Sequence, residues 1–599
     1  MRHALTAAPA IVLALALSAA TAASAQLTLA DIFTFRPLAE QPSYGRQTLA
    51  KARPDECFAG IGVDYPPLNP DGSCSAGQPK VNQSYVWGLT QAGLGEARFA
   101  GDEIWFGTIA NPLCDGAAGV LTPPPALHTA WVCEYGQSML ARRPVAPMPA
   151  AAGDWRPPRI YSYRLSTGLL TERTAPRDPA LKTVTGFRSA GALGRMVFVA
   201  GPDFQAQVVF AAYDAGSGAY KGSCRASELK NIRSWLVVNG VLYAGAGRRP
   251  GDGVLLRWRG TPDDPFNGAA SPSPLCGFEV VGTLPDLPAY LASYDGKRIA
   301  ATVWADSHRE SAPGAAAGSN PFTAGLYLGP PLGSDGAYDA TDAKRRWLRL
   351  WSPADYDPDP VVAGVTGGGA LAFWRGWLWF GTMHNSAGAL TAHTRCTLPA
   401  CFGPPQNDDE QLALLLGASR AASLWRARID EQGRPVVELL YGATELPAFV
   451  PGTRVFENRP TGWTPRFGGS GMGNPFLTYA WSANAGPDDL LFGFYDYRYV
   501  FDVNFGIIPD PAPTSDVDPR RGYGGDLWRF TDPEAPARPE ATAGLTDFSN
   551  YGVRNMLRLE GGEVIAGIAN ALNLEPRGGW ELIRLSPPAA ARQRGPGRK

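Results

Sequence analysis

Histidine is scarce in this chain, and its placement is the first chemical clue. Of five histidines in 599 residues, four (His128, His308, His384 and His393) fall in the long stretches between short apolar strands. An imidazole beside a carboxylate can move protons or hold a divalent cation. Asp306, His308 and Glu310 alternate within five positions, and His384-Asn385 follow the strand end Gly381-Thr382. Asp496 closes a similar strand. Asp306, His308, His384 and Asp496 are therefore the candidate catalytic residues, with His308 and His384 as candidate ligands of a divalent cation. No HExxH or similar spacing accompanies them. The plain alternative is that polar residues collect in loops.

A second set at corresponding positions suits binding without chemistry: Trp87, Asn111, His128, Asn385 and Asn570, with Asp203 at the same place in another repeat. The Gly-rich run Gly468–Gly473 leads into a strand at Phe476, so it reads as a turn and not as a phosphate loop. It also lacks the G-x-S-x-G spacing of a hydrolase nucleophile. Asp355, Asp357 and Asp359 alternate with Tyr356 and Pro358 and read as a turn. Asp516-Val517-Asp518 lacks the remaining ligands of a calcium loop. Asn407 to Ala422 predicts a helix: Asn407 and Glu410 make a capping-box-like start, and Leu412, Leu415 and Leu416 share a face. It is expected to pack as a lid, with a partner-binding helix as the alternative.

These residues hang on a pattern that recurs seven times. An apolar strand and a short turn precede a second strand that ends in small residues. The second strands are Ile104–Thr108, Met196–Gly201, Val241–Gly245, Ile299–Val303, Leu378–Thr382, Leu490–Phe494 and Val564–Ile568. Turns such as Asn239-Gly240 are strong hairpin signals. A third strand bearing Trp or Tyr follows, as at Trp258, Trp425, Trp528 and Trp580, and most repeats show a fourth. Four-stranded units repeated along one chain predict an all-β fold: a single β-propeller of about seven blades over residues 84–587. The last repeat lacks a fourth strand. Within the N-terminal segment 26–83, Leu27–Phe35 is expected to supply it and remove the open sheet edge. Surplus length concentrates between second and third strands, at 109–159, 304–322, 383–421 and 495–524. Loops at one position in every repeat leave on one face, which should carry long loops and the short lid helix.

Tyr213-Asp214-Ala215-Gly216-Ser217-Gly218-Ala219-Tyr220, and more loosely Tyr163-Arg164-Leu165-Ser166-Thr167-Gly168, resemble the outer-strand turn of the broad quinoprotein-like and YVTN-like propeller superfamily. Lys80–Leu89 and Asn550-Tyr551-Gly552-Val553-Arg554 resemble stretches of secreted bacterial proteins of unassigned function. The resemblance implies the propeller fold. It carries no catalytic residue, and the regular tryptophan pattern of quinone-dependent dehydrogenases is absent, so no quinone is expected.

Residues 1–25 read as a signal peptide, with Arg2 and His3, the apolar run Ala10–Ala20 and the small residues Ala23-Ser24-Ala25 before Gln26. That run is too short to span a bilayer, which takes about 20 residues. A periplasmic or secreted protein without a membrane span is expected. Residues 588–599 form a basic tail. The net charge of −1 with 18% charged residues leaves no footprint for nucleic acid. Export makes disulfides plausible for all eight cysteines. Short spacings suggest Cys57–Cys74, Cys114–Cys133 and Cys396–Cys401, leaving Cys224 with Cys276; other pairings stay open. Together these readings describe an exported propeller that binds a small molecule or an extracellular polymer, such as a glycan, at its loop-rich face. The alternative is a metal- or carboxylate-dependent hydrolase or lyase at the same face.

Overall fold

Short apolar runs broken by Gly and Asn turns bury their backbone by pairing as hairpins. The computed structural model describes residues 37–93, 102–114, 126–127, 130–135, 154–304, 323–333, 336, 347–395, 399, 401–496, 498 and 523–588. It is all-β, and among the described residues the strands group into seven units of four antiparallel strands, four of them bridged into one sixteen-stranded sheet, with three two-stranded sheets besides. The units begin with the strands Gln83–Gln91, Ser189–Leu193, Asn231–Val238, Leu287–Tyr294, Thr366–Trp374, Leu477–Ala485 and Gly552–Arg558. Each first strand lies beside the first strand of the next unit, and the seventh lies beside the first. Single bridges Met383–Tyr479, Tyr495–Gly552 and Ala569–Tyr85 join neighbouring units at their inner ends.

The second strands are sandwiched between sheets, and their apolar composition follows from that. Glu103–Ala110, Trp377–His384 and Val564–Ala569 are buried throughout. Glycine lets the sheets approach. A Cβ on Gly381 would sit 2.2 Å from Ala480 Cβ in the next unit, and one on Gly107 would sit 2.3 Å from Phe187 Cβ. Trp105, Trp379 and Trp425 fill the space between sheets with no exposed surface, each contributing about 1.5–3 kcal/mol by burial. The Trp425 indole N–H donates to Ser423 Oγ at 2.7 Å and that of Trp528 to Asp526 Oδ2 at 3.0 Å, so these rings carry no unmet donor.

The fourth strand of the last unit is Gly45–Lys51, paired antiparallel with Glu581–Ser586. This corrects the expectation for Leu27–Phe35, which lies outside the described residues. The reason is anchoring. Buried Glu540 accepts from Ser43 N, Ser43 Oγ and Tyr44 N at 2.6–2.7 Å, and Tyr44 Oη donates to Asp489 at 2.8 Å. The chain entering Gly45 is thus held between the sixth and seventh units.

The surplus length of the fifth unit folds into more than the one expected helix. Helices Pro360–Val365, Ser386–Arg395 and Asp408–Ala418 pack through Val362, Ala389, Phe402 and Leu414 against a hairpin of Glu445–Phe449 and Phe456–Pro460. Asn407 caps the last helix, its Oδ1 accepting from Glu410 N at 2.9 Å, and the helix stops at Ala418, before Ala422. Among the described residues no helix is long and apolar enough to cross a membrane.

Cys57–Cys74, Cys114–Cys133 and Cys224–Cys276 are disulfides. Cys401 is also disulfide-bonded, and Cys396 lies outside the described residues. Cys224 belongs to the second unit and Cys276 to the third, so their bond clamps two sheets across a separation of 52 residues. Loop entropy over that span is worth up to about 4 kcal/mol. Replacing both cysteines by Ala should lower the unfolding free energy by a comparable amount in urea titrations, with the far-ultraviolet spectrum unchanged.

Candidate functional site

Strands that end at a sheet rim leave backbone N–H groups unpaired, and short polar side chains meet that need. Most of the residues singled out in the sequence do this work. Asn111, Asp203, Asn385 and Asn570 each directly follow a second strand. Asn111 donates to Asn82 Oδ1 at 2.8 Å and to Asp154 O at 2.7 Å, and it accepts from Asn573 Nδ2 at 3.1 Å. Asn570 donates to Ser549 Oγ at 2.9 Å and accepts from Leu572 N at 3.1 Å. Asn385 Oδ1 accepts from Gly388 N at 2.9 Å and starts helix Ser386–Arg395. Asp203 binds two turn amides and Arg225.

His384 is the last residue of its strand and is 1% exposed. Its Nδ1 lies 3.2 Å from Thr366 Oγ1. Burial, helped by the charge of Arg420, pushes its pKa down to about 3, so the ring is neutral. Asp496 is fully buried and accepts from Asn474 Nδ2, Arg498 N and an Arg498 guanidinium N–H at 2.8–3.0 Å. His393 lies on a helix and not in a loop. Its Nε2 is 3.5 Å from Asp359 Oδ2, between the rings of Phe449 and Phe456. Burial alone would raise the Asp359 carboxyl; His393 together with the Phe449 and Val362 amides outweighs it and holds the group below the usual carboxylate range. Asp359 also caps helix Pro360–Val365, and Asp357 pairs with Arg420 at 2.7 Å, so the aspartate run anchors the helical layer. Asp306, His308 and His128 lie outside the described residues. Among the described residues one grouping places His, Cys, Asp or Glu atoms close enough for a metal: Cys114, Cys133 and Asp154. Its sulfurs are joined to each other.

Trp87 leads elsewhere. It belongs to a cluster where the inner strands converge, with Tyr85, Tyr290, Trp304, Tyr479, Trp481, Tyr495 and Tyr551. Trp87, Tyr290, Trp304, Tyr479 and Tyr495 are half-buried. Tyr85 and Tyr551 share a hydrogen bond, and burial raises both hydroxyls far above their usual range. Three arginines enter this cluster. Arg188 lies over Trp87 at 5.3 Å and near Trp304 at 5.6 Å. Arg233 stacks on Trp304 at 4.2 Å and faces Tyr290 at 6.0 Å. Arg554 lies over Trp481 at 5.3 Å and donates to Tyr290 Oη at 3.3 Å. Burial pushes Arg233 down to about 10, and Arg554's like charge adds to this, but Arg233 stays cationic at neutral pH.

The sequence reading missed these arginines. Their signal is the apolar-Arg-Ser/Asn triplet opening three inner strands: Phe187-Arg188-Ser189, Ile232-Arg233-Ser234 and Val553-Arg554-Asn555. The third residue ties each strand to the next unit. Ser189 accepts from Trp235 Nε1 at 3.0 Å, Ser234 accepts from Leu291 N at 3.0 Å, and Asn555 donates to Val86 O at 2.7 Å. Arg233 and Arg554 are the unpaired residues at register shifts of their strands, between Ile232 and Ser234 and between Val553 and Asn555, which re-aims their side chains.

No family model matches the chain, and no curated protein matches it. Solved structures similar to it include a chain of the mitotic checkpoint complex, at 11% identity and a TM-score of 0.31, covering 72% of this chain and 84% of that one. A prolyl endopeptidase aligns at 9% and 0.32, covering 76% of this chain; the chain spans 42% of that enzyme's length. The β-propeller domain of the trilobed protease from Pyrococcus furiosus aligns at 8% and 0.27, covering 75% and 80%. Likenesses this loose carry no argument about function.

The buried, neutral His384 has a measurable consequence. The unfolded chain protonates this histidine near its ordinary value of 6.5, and the folded chain does so only near 3. Between those values the unfolded state binds the extra proton, so stability falls as pH falls, by up to about 1.4 kcal/mol per pH unit. His384→Gln should flatten the slope of unfolding free energy against pH by that amount across pH 6 to 4, read from urea midpoints.

Proposed function

We propose that the seven units are the blades of one closed β-propeller, exported to the periplasm or beyond, whose aromatic centre binds an extracellular ligand with flat apolar faces, a glycan chain above all. The domain limits follow: a leader to residue 25, an N-terminal segment to 83 that supplies the closing strand, blades to 587 and a basic tail. A ring built this way is the architecture of the quinoprotein-like and YVTN-like superfamily that the repeats resemble. Export is supported by the leader and by the disulfides.

One observation carries the binding reading. Half-buried rings of Trp87, Trp304, Tyr290, Tyr479 and Tyr495 meet at the convergence of the inner strands. The candidate polar residues around them are consumed by turns and caps. Aromatic faces with few competing carboxylates suit stacking against sugar rings.

A second reading, acid–base hydrolysis or lyase chemistry, draws on Asp496 and Asp526. Burial first, and the charge of Asp496 second, hold the Asp526 carboxyl well above the usual carboxylate range. Its Oδ1 has no hydrogen-bond partner among the described residues.

A thermal-shift screen of neutral and acidic oligosaccharides tests the first reading, because a ligand that binds the native state alone raises the midpoint. Trp304→Ala should weaken the hits at least about tenfold, as expected for a central aromatic contact. Product release that Asp526→Asn abolishes would favour the second reading instead.

A further inference from the structure

Cations in a protein interior normally face carboxylates, since burying a lone charge costs several kcal/mol. The inner-strand arginines break that rule. Arg233 and Arg554 are only 7% and 3% exposed. Among the described residues neither pairs with an Asp or Glu, and the Nε of each lacks a hydrogen-bond partner. What they meet instead is mostly aromatic, besides Met383 Sδ at 3.9 Å from Arg233 and Asn555 Oδ1 at 3.5 Å from Arg554. Arg233 lies on Trp304, and Arg554 reaches Tyr290 Oη, the same ring that Arg233 faces. Cation–π contact offsets part of the cost and leaves guanidinium N–H groups free to donate.

Two like charges held around one tyrosine repel each other. Elsewhere the chain neutralises buried arginines with care: Arg420 with Asp357, Arg156 with Glu56, Arg426 with Glu438. The lack of a counter-charge among the described residues there is therefore a specific departure. It lies beside the rings assigned above to ligand stacking.

We propose that this centre selects a ligand bearing an anionic group, a carboxylate or a sulfate on a sugar chain, which Arg233 and Arg554 hold through charge-assisted hydrogen bonds while Trp304 packs on the ring. The inference rests on the binding reading and deepens it. A guanidinium fork matches both oxyanions.

Calorimetric titration of the full-length mature protein with hexagalacturonate, a carrageenan hexasaccharide and cellohexaose tests it. At least one acidic oligosaccharide should bind about tenfold or more tighter than cellohexaose, and added salt should weaken that binding. A preference for galacturonate assigns a carboxylate, and a preference for carrageenan assigns a sulfate. Arg233→Met and Arg554→Met should each lower the acidic affinity about tenfold or more, and by clearly more than they change any cellohexaose affinity. Arg233→Lys, which keeps the charge, should retain part of the preference. Because Arg233→Met removes an uncompensated charge, its thermal midpoint should match or exceed that of the parent, whereas a structural arginine would lower it. Equal affinity for acidic and neutral oligosaccharides, or acidic binding that survives Arg233→Met, overturns the anion site and leaves the binding reading standing. Failure of all three probes removes the glycan-binding reading beneath it.

Discussion

The pairing of Gly45–Lys51 with Glu581–Ser586 is the constraint from which the rest follows. Seven twisted sheets laid side by side end in two open faces unless something joins the last to the first. In the proposed ring a strand taken from the far end of the chain does this at the periphery, and Gly552–Arg558, which lies against Gln83–Gln91, does it at the centre. Glu540 fixes the entry of that strand with three hydrogen bonds from Ser43 and Tyr44. In the proposed ring, these contacts oblige the inner strands to converge, and convergence is what gathers the aromatic rings and the arginines.

The molecule treats its polar groups in two distinct ways. At the strand ends, asparagines and aspartates spend their hydrogen bonds on turns, caps and one another. Asn111, Asn82 and Asn573 form such a chain. In the fifth unit, Asp357 and Asp359 serve Arg420 and His393 and so fix the helical layer. At the centre the chain keeps cationic groups beside aromatic faces with no carboxylate among the described residues to meet them. Such a centre costs stability in the free protein, and in the proposed site a ligand of opposite charge would recover that cost.

Much of the fold was legible because β-structure with a strict repeat leaves a strong imprint. Trp377-Leu378-Trp379-Phe380 is continuously apolar because both its faces are covered, and Gly381 follows because the next sheet comes too close for a side chain. The disulfides Cys57–Cys74 and Cys114–Cys133 agree with their short spacings, and Cys224–Cys276 is the pair those spacings left over. The closing strand was placed too early, since Gly45–Lys51 is mostly polar, with Leu49-Ala50 its one apolar pair, and its anchor, Glu540, is nearly 500 residues away. The helices Pro360–Val365 and Ser386–Arg395 were hidden for a similar reason. They are short, and packing against Phe402, Phe449 and Phe456 holds them, not propensity. The site was the least legible part. Histidine and aspartate draw attention by chemical type, and His384 and Asp496 turned out to be enclosed. The arginines carry their signal only through a triplet repeated in three distant strands.

Native-state hydrogen exchange of the unmodified protein, followed by mass spectrometry, tests the closure most directly. Amides of residues 45–51 should be protected to the same degree as those of 581–586 and should open together with them, as one cooperative unit. Exchange of 45–51 at the rate of a free terminus, with 581–586 still protected, would contradict the closed ring and remove the reason for the inner strands to meet.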